Sequence, residues 1–110
     1  MVNKFMSIEQ QKLWIDAAVN LTQLKLRSGS NKELYEYILN QLVYIRDRLA
    51  DKTLPRDKLP DINIGHLAVR EFEGADQEYS EALKRAYFIV HYMKSGLKVP
   101  SLDKNGNIIK

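Results

Sequence analysis

The stretch IGHLAVREFEGADQEYSEALKRAYFIVHYM, residues 64–93, decides the fold of this chain of 110 residues. In its second half, apolar side chains recur at steps of three and four, which is the spacing of one face of a helix. This face consists of Tyr79, Ala82, Leu83, Ala86, Tyr87, Val90 and Met93. Asp76 precedes the run and has a side chain that can cap the free N–H groups of a first helical turn. The pattern predicts a helix from Asp76 to about Ser95.

The first half of the same stretch predicts a shorter helix that ends at a tight corner. Gly74 follows this segment, at a position where helices commonly end in a left-handed residue. Asp61 or Asn63 is the predicted N-terminal cap, and Gly65 lies in the first turn, where a glycine costs little. The candidate buried residues of this helix are Ile64, Leu67, Ala68 and Phe72.

Two longer helices are predicted upstream. Ser7 and Gln10 have the spacing of a capping box, and the helix behind them is expected to run to about Arg27. Asn31 is the predicted cap of the next helix, which ends near Asp51. The expected core face of the first helix is Leu13, Trp14, Ala17, Ala18, Leu21 and Leu24. That of the second is Leu34, Tyr35, Ile38, Leu42, Ile45 and Leu49.

The remaining segments are a connection and a tail. Residues 53–61 contain two prolines and read as a connection between helices. After Gly96, the chain is expected to form either a frayed tail or a short hairpin, whose type I′ turn the Asn105-Gly106 pair would suit. We therefore predict an all-α fold, a compact antiparallel bundle of about four helices. Residues 1–99 are expected to form the helical domain, and residues 100–110 an extended or short hairpin C-terminal tail.

The composition excludes several classes of protein. The chain has no cysteine, so neither a disulfide framework nor a thiolate zinc site can form. Its first residues lack the apolar segment of a secretory signal, and no apolar run approaches the roughly 20 residues that span a bilayer. We expect a cytoplasmic protein without a membrane partner.

No motif points to an enzyme. His66 and His91 fall on different predicted helices, and the phosphate-binding, dinucleotide-binding and zinc-protease motifs do not occur. The run from Asp103 to Asn107 resembles a calcium-binding loop, but its glycine comes two places too early and the distal glutamate is missing. We predict no catalytic residue, no metal site and no cofactor.

The charge of the chain is unevenly distributed. Its net charge is +3, but Asp57 to Glu81 carries seven acids and two bases, a net charge of −5. No basic stripe is apparent, so we expect no nucleic-acid partner. The dipole of the last predicted helix favours acids at its start, whereas Glu71 and Glu73 lie at the C-terminal end of the helix before it, where acids are disfavoured. Charge in an unfavourable place indicates a basic protein partner.

Six tyrosines in this short chain are a second sign of a contact surface. Tyrosine is amphipathic and enriched at interfaces, although it is also common at the margin of a core. Tyr37 and Tyr44 lie seven residues apart on the flank of the second predicted helix. They form a second candidate partner face.

Specific residues also carry a family resemblance. Most specific are residues 65–73, which fit G-x-x-A-V-[RK]-E-F-[DE], and residues 82–87, which fit A-L-K-x-A-Y. They accompany Tyr44-Ile45-Arg46, Leu49, Thr53-Leu54-Pro55-Arg56 and Gly96-Leu97-Lys98-Val99, in this order. The chain from Leu42 to Val99 resembles the small immunity proteins of type VI secretion that protect bacteria from NAD(P)+ glycohydrolase effectors. The usual Asp-Pro-Glu of that family is Asp76-Gln77-Glu78 here.

The resemblance implies a non-enzymatic inhibitor that binds a cognate toxin domain and occludes its active site against NAD+ or NADP+. It supplies no contact residues that can be matched by position. From the charge pattern, we predict that the partner binds the corner between the third and fourth helices. This corner surface consists of His66, Arg70, Glu71, Glu73, Asp76 and Glu78. A non-inhibitory helical adaptor and a small nucleic-acid-binding regulator are the alternatives, and a homodimer is left open.

Overall fold

The computed structural model describes residues 3–109, and it confirms the predicted all-α bundle. The three long helices are α1 (Ile8–Arg27), α2 (Lys32–Ala50) and α4 (Gln77–Lys94). The short helix α3 (Ile64–Leu67) continues directly into a π-helical turn, Ala68–Phe72, and a 3-10 turn covers Leu59–Asp61. Helix α1 packs against both α2 and α4, while α3 and the π-helical turn pack against α4. Within residues 3–109, no helix is long and apolar enough to cross a membrane.

Two of the predicted helix caps are confirmed. Ser7 and Gln10 form a reciprocal capping box: the Gln10 N–H donates to the Ser7 hydroxyl (3.1 Å), and the Ser7 N–H donates to the Gln10 side chain (3.0 Å). Asp76 caps α4 by accepting the N–H of Tyr79 at 3.2 Å. These caps fix the first turns of the two helices that pack on each other.

The asparagine caps were predicted wrongly. Asn31 precedes α2 in a left-handed conformation (φ 47°) and makes no side-chain cap, because capping residues normally have extended backbone. Asn63 precedes α3, but its side chain accepts a hydrogen bond from Gln41 Nε2 at 2.8 Å instead. The Asn63 N–H donates to Gln41 Oε1, also at 2.8 Å. The buried Gln41 thus ties the start of α3 to α2.

The core face of α1 differs from the prediction. Leu13 and Leu24 were expected in the core but are 68% and 56% exposed. The residues of α1 that are buried are Gln11, Ile15, Ala18, Val19 and Thr22. The reason is that α1 carries apolar residues around much of its circumference, so periodicity alone allows more than one core face. Which face is buried depends on α2 and α4, between which α1 lies.

The faces of α2 and α4 are confirmed in outline. In α2, Ile38, Leu42, Ile45 and Leu49 are buried. In α4, the buried set includes Tyr79, Ala82, Leu83, Ala86, Ile89 and Val90. Together with residues of α1 and α3 they form one apolar cluster. The predicted corner also forms, because Gly74 has the left-handed conformation (φ 85°) just before α4.

The segment before this corner is not a regular α-helix as predicted. Its last turn is π-helical, and the Glu73 N–H donates to the carbonyl of Ala68 at 2.9 Å. The same carbonyl accepts the buried hydroxyl of Ser80 at 3.0 Å. Gly65 has a specific packing role: a Cβ atom there would lie 2.6 Å from Cγ of Tyr87. This glycine therefore lets α3 approach α4 closely.

The C-terminal tail forms a short hairpin, so the frayed alternative was wrong for the described part of the tail. Leu102 and Ile108 make an antiparallel bridge, and the turn between them is closed by the Gly106 N–H donating to the Asp103 carbonyl at 3.0 Å. The turn is not type I′, because Gly106 has a positive φ (84°) and Asn105 does not. The tail also pairs with the N-terminal segment, since the Ser101 N–H donates to the Lys4 carbonyl at 2.8 Å.

Candidate partner-binding surface

The corner surface is built by α3, the π-helical turn, the corner that follows it and the first turn of α4. Its acids are largely paired within the chain. Glu71 pairs with Arg70 at 3.1 Å, and Glu73 pairs with Lys84 of α4 at 3.0 Å. Glu78 is exposed and makes no ion pair with another described residue. The structure thus brings the acids together, but it offsets part of their charge with neighbouring cations.

Asp76 has a structural role in addition to its place on the corner surface. Its carboxylate pairs with Lys25 near the end of α1 and also caps α4. The hydrogen bond from Lys25 is the largest cause that holds the pKa of Asp76 below its ordinary value. The Lys25 ammonium also lies 4.9 Å from the ring centroid of Tyr79, a cation–π arrangement. Asp76 therefore locks α1 to α4, and its carboxylate is only partly available to a partner.

His66 and Arg70 are both exposed, on α3 and on the π-helical turn respectively. The side chain of Arg70 donates one hydrogen bond, to the carboxylate of its neighbour Glu71, and none to any other described residue. Little else therefore fixes the position of this side chain. Val69 lies between them and is 54% exposed. Single exposed apolar side chains are common on protein surfaces, so Val69 adds a small apolar contact area to this charged surface. The corner surface thus includes one apolar residue that the charge pattern did not indicate.

The two predicted interface tyrosines differ in their surroundings. Tyr37 is 48% exposed and is free of side-chain hydrogen bonds to other described residues. Tyr44 is partly buried, and its hydroxyl donates to the carbonyl of Pro55 at 2.6 Å. Lys58 lies over its ring at 5.8 Å. Tyr44 therefore fastens the proline-containing connection to α2, which leaves Tyr37 as the more accessible of the pair.

Sequence reasoning missed an exposed apolar stripe on α1. Leu13, Ala17 and Leu24 are exposed and recur at helical spacing on one side of the helix. The helical spacing of these residues was visible in the sequence, but it was assigned to the buried face of α1 instead of the exposed face. The stripe is a further candidate surface for a protein partner.

The described residues offer no metal-binding cluster. Among residues 3–109, no group of three or more His, Cys, Asp or Glu side chains is arranged to hold a metal ion. His91 contacts the ring of Tyr92 edge-on, at 5.1 Å between ring centroids.

Comparison with known proteins identifies the family. The Tsi6 family profile matches residues 10–92. The immune protein Tsi6 of Pseudomonas aeruginosa strain PAO1 is 38% identical over 86 residues, which cover 78% of this chain and 92% of that protein. A solved structure of Tse6 in complex with Tsi6 matches with a TM-score of 0.77 at 37% identity, covering 81% of this chain and 95% of the matched chain. A structure of Tsi6 from P. aeruginosa gives a TM-score of 0.70 at 34% identity, over 77% and 95% of the two chains. With a profile match that spans most of the described residues, this chain belongs to the Tsi6 family.

Proposed function

We propose that this chain is an immunity protein that binds and inhibits a cognate type VI secretion toxin. The proposed toxin is an NAD(P)+ glycohydrolase, and the proposed mechanism is occlusion of its active site. The protein acts as a stoichiometric inhibitor in the cytoplasm, without a cofactor and without catalysis of its own.

The observation that carries this proposal is the similarity to a chain from a solved complex. Tsi6 is described as an immune protein, and its structure has been solved in complex with Tse6. The present chain covers 95% of the matched chain in that complex, so the whole helical bundle is shared. Shared fold and 37% identity over this length support a partner of the same kind.

The structure offers two surfaces for such a partner. The corner surface presents Glu71, Glu73 and Glu78 on an exposed rim, with Val69 among them. Rim charges of this type mainly accelerate association with a basic partner, whereas buried apolar anchors set the lifetime of the complex. The exposed stripe of α1 supplies apolar residues that the corner surface largely lacks. We propose the corner surface as the first point of contact.

An immunity protein protects against a lethal enzyme at low copy number, so the affinity must be high. A Kd of about 1 nM corresponds to roughly −12 kcal/mol. Interfaces of this strength commonly bury about 800 Å² on each partner, with a few residues contributing most of the energy. A surface of that size extends beyond the six residues of the corner surface.

The test is co-purification with the product of the adjacent gene, followed by an NAD+ consumption assay with and without this chain. The proposal expects a stable complex and complete loss of NAD+ consumption at a 1:1 ratio. If the two proteins bind but NAD+ consumption is unaffected, the partner catalyses a different reaction or this chain is a non-inhibitory adaptor. Failure to bind would contradict the proposal. Light scattering on the same samples gives the stoichiometry and detects a homodimer of the free chain.

A further inference from the structure

A pocket at the opposite end of the bundle from the corner surface contains a concentration of positive charge. It has a volume of about 710 Å³, within the range of small-molecule sites, and lies where the start of α1 meets the ends of α2 and α4. Four of its lining residues are cations, and none is an acid. We call it the basic pocket and define it by these cations: Arg48, Lys52, Arg56 and Lys98.

Arg48 is the unusual member of the basic pocket. It is only 7% exposed, and its Nε–H has no hydrogen-bond acceptor among the described residues. Its guanidinium makes one hydrogen bond, from Nη1 to the carbonyl of Leu54. A guanidinium has five N–H donors, and a buried polar group without a partner is costly. Nε is covered, so the nitrogen of Arg48 that is left for a ligand is Nη2, which bonds to no described residue. Guanidinium N–H donors commonly bind a carboxylate or a phosphate.

No carboxylate within residues 3–109 neutralises this guanidinium. Arg48 takes part in no ion pair of the described chain. Asp51 is a nearby acid whose pKa lies below its ordinary value, but hydrogen bonds from Thr53 are the main causes and Arg48 contributes least. The Asp51 carboxylate accepts both the N–H and the hydroxyl of Thr53, at 3.0 and 2.6 Å. Asp51, three residues after Arg48, is thus engaged elsewhere.

Part of the positive charge has an ordinary structural explanation. Arg56 donates to the carbonyls of Met93 and Lys94, at 2.9 and 3.0 Å, and so satisfies the C-terminal end of α4. Lys52 and Lys98 are both exposed, and neither pairs with an acid of the described chain. The ammonium of Lys98 lies 5.3 Å from the ring centroid of Phe5, whereas Lys52 has no such structural contact. The N-terminus of α1 lies at the same pocket and adds a positive potential.

Most of the other side chains in the wall of the basic pocket are apolar. Phe5, Met93, Leu97 and Val99 line it. Phe5 is 43% exposed and Leu97 61% exposed, so both present apolar surface without burying it in the bundle. A ligand with only a charged group would leave this wall unused, and one with only apolar groups would leave Arg48 unpaired.

We propose that the basic pocket binds an amphipathic organic anion: a carboxylate or a phosphate monoester joined to an apolar chain or ring. Arg48 binds the anionic group through Nη2, Lys52 and Lys98 attract it, and the apolar side chains of the wall contact the remainder. This inference is independent of toxin binding, because it concerns the other end of the bundle and can be tested with the purified chain alone.

The test compares four probes with the same eight-carbon chain by calorimetry, below their micelle concentrations. These are octanoate, octyl phosphate, octanol and octylamine, and inorganic phosphate is measured beside them. We expect octanoate and octyl phosphate to bind about tenfold more tightly than octanol and than inorganic phosphate, and octylamine not to bind. Equal affinity for octanoate and octanol would overturn the anion site. Equal affinity for octyl phosphate and inorganic phosphate would overturn the amphipathic ligand.

Variants locate the binding. Arg48→Met removes the guanidinium but keeps an apolar side chain of similar length, and K52A/K98A removes the two exposed cations. Each is expected to weaken octanoate binding about tenfold, whereas K32A, at the other end of α2, leaves it unchanged. If Arg48→Met does not fold, K52A/K98A decides alone, because exposed lysines are not needed for packing. Unchanged affinity in K52A/K98A would then overturn the proposal.

Discussion

The hydroxyl oxygens of Thr22 and Tyr79 lie 2.8 Å apart in the core, although the two residues are 57 positions apart in the chain. Thr22 is fully buried, and Tyr79 is 1% exposed. The single hydroxyl proton of Thr22 donates to the carbonyl of Ala18 at 2.7 Å, so the Tyr79 hydroxyl is the donor to Thr22. Burial raises the pKa of Tyr79, which keeps this donor protonated. This chain of hydrogen bonds joins α1 to α4.

We expect Tyr79→Phe to lower the free energy of unfolding by about 1–2 kcal/mol, because a buried hydrogen bond is lost and Thr22 loses its donor. Thr22→Val should lower it by about 1–3 kcal/mol, because the Tyr79 hydroxyl is then buried without an acceptor. The double variant should cost less than the sum of the two. Urea unfolding of all four proteins gives the coupling energy, and strict additivity would show that the two hydroxyls do not interact.

The ion pair between Lys25 and Asp76 predicts a dependence of stability on pH. We expect Asp76→Ala to lower the free energy of unfolding by about 1–2 kcal/mol, because the helix cap and the ion pair are both lost. Asp76→Asn should cost less, because asparagine also caps helices. The pKa of Asp76 is lower in the folded state than in the unfolded state. Its contribution is therefore fully present above the unfolded pKa and is lost as the pH falls through the folded pKa.

The measurement for Asp76 is the urea midpoint of the wild type and of Asp76→Asn between pH 7 and pH 2.5. The difference between the two proteins should be constant at neutral pH and should shrink below about pH 4, where the carboxylate of the unfolded state begins to protonate. Lys25→Met serves as the matched control, because it removes the same pair but leaves the cap. A difference that is undiminished at pH 2.5 compared with pH 7 would mean that the charge of Asp76 is not its source.

Gly65→Ala is expected to destabilise the fold, although alanine normally favours a helix. The added Cβ atom would lie 2.6 Å from Cγ and 2.8 Å from Cδ2 of Tyr87, so the ring or α3 must move. We expect a loss of about 1–3 kcal/mol, as for other overpacked cores. In a Tyr87→Ala background the two ring contacts disappear and only a 3.0 Å contact to the Cβ of residue 87 remains, so Gly65→Ala should destabilise clearly less than in the wild type. A similar loss in both backgrounds would refute the packing role of Gly65.

The capping box at Ser7 and the cap at Asp76 could be predicted because each depends on a few neighbouring residues. The faces of α2 and α4 could be predicted because each helix has one dominant apolar stripe. Local pattern failed where the outcome depends on distant segments. Asn63 bonds to Gln41, 22 residues away, instead of capping α3. The π-helical turn is stabilised in part by the hydrogen bond from the Ser80 hydroxyl to the Ala68 carbonyl. No sequence pattern indicates that these two residues would be bonded.

The candidate site divides in the same way. The acids of the corner surface are close in sequence, so their clustering was visible before the structure. Their partners were not all visible, because Lys25 of α1 meets Asp76 only in the folded chain. The basic pocket was invisible, since Arg48 and Lys98 are 50 positions apart and each is unremarkable in its own segment.

The corrected face of α1 leads to a prediction about stability. Leu13→Ser and Leu24→Ser should each change the free energy of unfolding by no more than about 0.5 kcal/mol, since both side chains are mostly exposed. Ile15→Ala should cost about 2–5 kcal/mol, because Ile15 is fully buried. Thermal or urea unfolding distinguishes the two classes. A large decrease in the free energy of unfolding for Leu13→Ser would mean that Leu13 is buried, as the sequence analysis predicted.

The last prediction concerns the corner surface and the proposed toxin. We expect E71K/E73K to slow association with the toxin about tenfold and to affect dissociation less, because rim charges act mainly on the encounter. The fold should survive, since the Arg70–Glu71 and Lys84–Glu73 pairs are on the surface and contribute about 1 kcal/mol or less.

The matched control for this prediction is E33K/E36K, which makes the same change of charge on α2. Glu33 and Glu36 are also exposed, and Glu36 likewise takes part in a surface ion pair, with Lys32 at 3.7 Å. Surface plasmon resonance at two salt concentrations gives the association rates, and circular dichroism verifies the fold. If both double variants slow association equally, the net charge of the chain steers the toxin. If only E71K/E73K does so, and the effect fades at high salt, the toxin approaches at the corner surface.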